Sequence, residues 1–179
     1  MILTSTLPYA VAFAQLVIGL VFALSAVGKL RNIRQFARTI TAFQVFPSYL
    51  SMPFAVIMLL SEIAVVVLVL MGGNLLISGF LLAALLLTAF ALALASALVR
   101  RIQTSCNCFG TTTKPISSLD LWRNGGLVVC ALLGAGAANL PASQAALGPI
   151  EWAVLALAAV LFLSIWLQLD QLARLFSVR

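Results

Sequence analysis

Apolar residues dominate this chain in five long runs: Pro8 to Gly28, Met52 to Met71, Leu75 to Val99, Leu119 to Ala138 and Ile150 to Leu169. Each is long enough to cross the ~30 Å hydrocarbon layer of a bilayer, which takes about 20 helical residues. The runs are continuously apolar and rich in Leu and Ala, whereas membrane barrel strands alternate and are about half as long. The pattern predicts an all-α integral membrane helical bundle. One further segment, Leu30 to Phe46, has a different period: Ile33, Phe36, Ala37, Ile40 and Phe43 or Phe46 recur at helical spacing opposite Arg31, Arg34 and Arg38. That is the signature of an amphipathic interfacial helix, closed by Pro47 and followed by Pro53 in the first turn of the next span. It reads first as a surface-lying connector, and second as a docking platform for a partner.

Composition agrees. The chain is 64% hydrophobic and 8% charged over 179 residues, too few polar side chains to surface a soluble globule. Mean hydropathy is +1.20. The first run has no basic stretch before it, so it reads as a true span rather than a cleaved signal. The longest connections are about twenty residues, so residues 1–179 read as one transmembrane domain.

Charge then orients the bundle, because Lys and Arg near span ends stay cytoplasmic. Lys29, Arg31, Arg34 and Arg38 follow the first run. Arg100, Arg101, Lys114 and Arg123 surround the third connection, and Arg174 and Arg179 lie in the tail. The connections Gly72 to Asn74 and Asn139 to Pro149 hold none. Five spans with the N-terminus outside and the C-terminus inside put every basic residue on the cytoplasmic face of a cell (inner) membrane, an arrangement that an even count would break. The net charge of +6 therefore reads as contact with the lipid bilayer, and nucleic acid is not invoked.

Candidate chemistry is narrow, since the chain has no His and four acidic residues. Imidazole-based haem and zinc sites are excluded, a hard-cation cage lacks carboxylates, and no metal site is expected. Sulfur remains. Cys106 and Cys108 lie in the polar connection Thr104-Ser105-Cys106-Asn107-Cys108-Phe109-Gly110. Two thiols one residue apart close a disulfide only through a small strained ring, which makes the bond easy to reduce. Arg100, Arg101 and Lys114 nearby favour the thiolate. The pair suits dithiol redox chemistry; it would also bind a soft cation, or do neither.

Cys106-Asn107-Cys108-Phe109-Gly110, followed by Ile116-Ser117 and Asp120-Leu121-Trp122-Arg123-Asn124, resembles the methylamine utilisation protein MauE family among DoxX-like membrane proteins. A second stretch fits: Gly19 to Lys29 ending in Gly28-Lys29-Leu30, then Phe36, Pro47 and Glu62. The resemblance implies a four-helix DoxX-like core, here with a fifth transmembrane helix, working with a thioredoxin-fold partner to form or maintain disulfides. By that analogy Cys106 and Cys108 are the redox pair, supported by Phe109, Gly110, Arg123, Asn124, Glu62 and Lys29. No cofactor is implied; no motif here supports a quinone.

Disulfide formation belongs outside the cytoplasm, while the charge rule puts the pair inside. An electron relay across the membrane, an inward path for the uncharged stretch Ile102 to Thr113, or an inverted topology would each reconcile them. Cys130, in the fourth span, is a candidate third redox residue. It also stands in a small-residue row with Gly126 and Gly134, of the kind that lets membrane helices pack closely, and packing is the preferred reading. Glu62 is an intramembrane carboxylate, which implies a buried partner: Arg123 first, Lys29 second, or a protonated acid in a polar pocket. Trp122 reads as an interfacial anchor. The leading expectation is a membrane thiol-disulfide oxidoreductase or electron relay. The alternatives are a soft-metal carrier, thinly supported by Met52, Met58 and Met71, and a non-catalytic assembly factor.

Overall fold

The computed structural model describes residues 2–42, 47–100, 118–141 and 147–177. Among them are six α-helices and no strand: α1 (Ile2–Arg31), α2 (Ile33–Ala42), α3 (Ser51–Met71), α4 (Asn74–Val99), α5 (Ser118–Ala138) and α6 (Pro149–Ser177). All but α2 are long and apolar enough to span a membrane. Two exceed the apolar runs. Helix α1 starts before Pro8, and α6 continues to Ser177.

Helix α1 is the hub, packing on α3, α5 and α6 and meeting α4, while α4 and α5 make the most extensive pair. Val17, Ile18 and Val21 of α1 meet Val65 and Val69 of α3, Phe80 and Ala83 of α4, and Leu127 and Ala131 of α5. Helix α6 packs mainly along α1 and is the least covered span. A near-immediate reversal joins α3 to α4, where Gly72 (φ 64°) and Gly73 (φ 55°) both occupy the left-handed region that side-chain-bearing residues avoid. The reversal leaves the Val69 carbonyl without its helical partner, and Gln15 of α1 donates to it at 2.8 Å. At the start of α6, Pro149 takes the first helical position while Glu151 accepts the Gly148 N–H at 2.6 Å and the Tyr9 hydroxyl at 2.5 Å.

Helix α2 is amphipathic as expected, and its apolar face packs on α3. Phe36, Ala37 and Ile40 are buried against Ala55 of α3, with Phe54 and Met58 beside them. A hydroxyl contact of 2.7 Å between Thr41 and Ser51 pins its end to the start of α3. The helix is therefore part of the bundle. Arg31, Arg34 and Arg38 remain exposed. The expected continuation through Phe43 and Phe46 lies outside the described residues.

Candidate functional site

Ser25 and Lys29 stand four residues apart, one helical turn, on the face of α1 that carries Ile18, Val21 and Phe22 into the core. Glu62 faces them from α3, eleven residues after Ser51, or about 16 Å along the helix. That places it deep within a bilayer-spanning bundle. All three side chains are buried. Lys29 forms an ion pair with Glu62 Oε1 and donates to Ser25 Oγ at 2.8 Å; Ser25 in turn donates to the same carboxylate oxygen at 3.0 Å. Lys29 Nζ also sits 4.7 Å from the Phe36 ring centroid, tying α2 to the pair by a cation–π contact. Glu62 Oε2 is buried and has no hydrogen-bond partner.

The group borders a cavity of ≈ 40 Å³. Phe22 and Ser25 of α1, Phe36 of α2, Met58 of α3, Phe90 of α4 and Asn124 of α5 are among its walls. Asn124 is buried and donates to the Leu87 carbonyl of α4 at 2.6 Å. Five helices thus meet at one polar point inside an apolar bundle.

Arg123 is not the partner of Glu62. It bonds to Asp120 at 3.0 Å and to the Leu167 carbonyl at 3.3 Å, while Trp166 donates to the Arg123 carbonyl at 3.3 Å. The reason is angular: Glu62 lies on the α3 face turned to α1, and the α5 residue that reaches the cavity is Asn124, one position (100°) round the helix from Arg123. Arg123 instead fastens α5 to α6. Trp122 beside it is exposed.

Cys106, Cys108, Phe109 and Gly110 lie outside the described residues. The ends of their connection, Val99 of α4 and Ser118 of α5, belong to the same end of the bundle as Lys29 and α2. Cys130 is half-buried, packed against the main core and not in a disulfide. In its row, a Cβ on Gly126 would meet Trp166 of α6 at 2.6 Å, and one on Gly134 would meet the Phe80 ring of α4 at 2.8 Å. The glycines admit aromatic rings from two different helices rather than one close helix backbone. Ser25 escaped the sequence reading; its signal is a hydroxyl one turn before a lysine, on an otherwise apolar helix face. Among the described residues no cluster of His, Cys, Asp or Glu could hold a metal ion.

Helical architecture, span count and a polar group buried at mid-bundle define a multi-pass membrane protein of the helical-bundle class. Residues 7–137, which take in nearly all of α1 through α5, match the family described as methylamine utilisation protein MauE, and the chain belongs to that family. A relative, the methylamine utilization protein MauE of Paracoccus denitrificans, is 38% identical over 128 residues, covering 70% of this chain and 67% of the relative. No solved structure matches. Helix α6 follows the matched region.

Proposed function

We propose that this protein is a membrane thiol-disulfide oxidoreductase or electron relay in which Cys106 and Cys108 exchange electrons with a thioredoxin-fold partner. The observation that carries the reading is the pairing of two thiols one residue apart in a basic, polar connection, set against a third cysteine packed inside α5. A thiolate of the pair attacks the partner's disulfide and forms a mixed disulfide; the second thiol then displaces the partner, leaving Cys106 and Cys108 oxidised and the partner a dithiol. Two electrons and two protons pass to the partner, so the exchange balances without another reagent, and it runs in either direction. The relative's name links it to methylamine utilization, and we extend that process to this chain.

Orientation is part of the proposal: N-terminus outside, C-terminus cytoplasmic, in the cell (inner) membrane. It is supported by the placement of Lys29, Arg31, Arg34, Arg38, Arg100 and Arg123 at one end of the bundle, with Glu151 at the other.

Trapping tests the function. Cys106→Ser and Cys108→Ser are each expected to abolish function, and the variant lacking the resolving thiol to accumulate a covalent adduct with the partner, while Cys130→Ser behaves as wild type. Full function in all three variants would reject the redox reading in favour of an assembly factor.

A further inference from the structure

Glu62 brings an unanswered acceptor to the centre of the bundle. Its Oε1 is occupied by Lys29 and Ser25, but Oε2 is buried and has no partner, and the residue borders the cavity of ≈ 40 Å³. Apolar cavities of even about 150 Å³ stay dry and admit a benzene ring, whereas a water needs only ~10–15 Å³ and a few polar partners. This cavity is too small for a ring and has room for about three waters. The partners are at hand. Oε2 can accept, Lys29 spends two of its three ammonium protons on Ser25 and Glu62, and the Asn124 side-chain oxygen accepts nothing from the described residues while its nitrogen is bound to Leu87. Lys29 lies two residues from the end of α1, the end of the bundle at which α4 ends and α5 begins.

We propose that this cavity is a hydrated chamber, holding a small water cluster on Glu62 Oε2 that exchanges with the aqueous phase at the end of the bundle where α1 ends. A second cation in the chamber is disfavoured by Lys29, so the ligand is a neutral hydrogen-bond donor, and the volume makes it water. The proposal goes beyond the dithiol chemistry and does not depend on it.

Hydroxyl-radical footprinting of the full chain in lipid nanodiscs tests it, because the radicals arise only where water is. Phe22 and Phe36 border the chamber, and Phe80 is a fully buried ring that does not line it. Oxidation of Phe22 and Phe36 should exceed that of Phe80 several-fold. It should fall to the Phe80 level in Lys29→Met/Glu62→Met, which removes both charges together and leaves none unpaired. An infrared carboxylate band present in wild type and missing from that double variant should shift on transfer to D₂O within the mixing time. Oxidation no greater than at Phe80, oxidation that persists in the double variant, or a band indifferent to D₂O would each overturn the proposal.

Discussion

Lys29 and Glu62 form a buried ion pair that joins α1 to α3, with Ser25 bonded to both partners. Both side chains are buried, so each charge relies on the other for most of its stabilisation. Removing one partner of such a pair strands the other in a low dielectric, at a cost of about 3–5 kcal/mol, whereas replacing both by apolar residues is often close to neutral. Glu62→Gln and Lys29→Met are each expected to lower the melting temperature in detergent sharply, and Lys29→Met/Glu62→Met to recover most of the loss. A double-mutant cycle between Glu62 and Arg123 should be additive, because Arg123 is engaged by Asp120 and Leu167. Coupling between Glu62 and Arg123 would contradict the arrangement.

The glycines of α5 separate into two kinds. Gly126 and Gly134 each face an aromatic ring closer than a Cβ tolerates, while Gly125 and Gly136 face open space. Gly126→Ala and Gly134→Ala are expected to destabilise by about 1–3 kcal/mol through overpacking. Gly125→Ala and Gly136→Ala should be neutral or gain up to about 1 kcal/mol from helix propensity. Thermal unfolding of the four single variants checks this; a uniform response would show that the ring contacts do not govern the tolerance.

Asn124 links α5 to α4 through the Leu87 carbonyl. Interhelical hydrogen bonds in membrane bundles contribute about 0.6 kcal/mol on average and up to roughly 1.7. Asn124→Ala should therefore cost a modest amount of stability, less than either single loss at the Lys29–Glu62 pair. A larger cost than Glu62→Gln would place the main tie of the bundle on α5 instead.

Topology is open to reporter fusions. A reporter active only in the cytoplasm, fused after Arg179, is expected to work, and an impermeant thiol reagent should reach the Cys106–Cys108 connection from inverted vesicles rather than from intact cells. Activity of an extracytoplasmic reporter at that position would invert the assignment.

The apolar runs by themselves determined the helical membrane class, because a bilayer demands about 20 uninterrupted apolar residues per crossing and leaves little room for other readings. The residues named with Glu62 were legible in the same way: a carboxylate in a span announces a buried partner. Which partner it takes was not legible. Arg123 and Lys29 are both cations near span ends, and spacing along a chain does not say which helix faces turn toward one another. Only packing decided that α3 turns Glu62 to α1, that Ser25 joins the pair, and that Arg123 serves the α5–α6 contact. Packing likewise drew α2 onto α3, since an amphipathic face is equally content against lipid or protein until a neighbour such as Ala55 offers a close fit. The row of Gly126, Cys130 and Gly134 showed in sequence that something approaches α5 closely; that Trp166 and Phe80 do so, from two helices, is information held only by the assembled bundle.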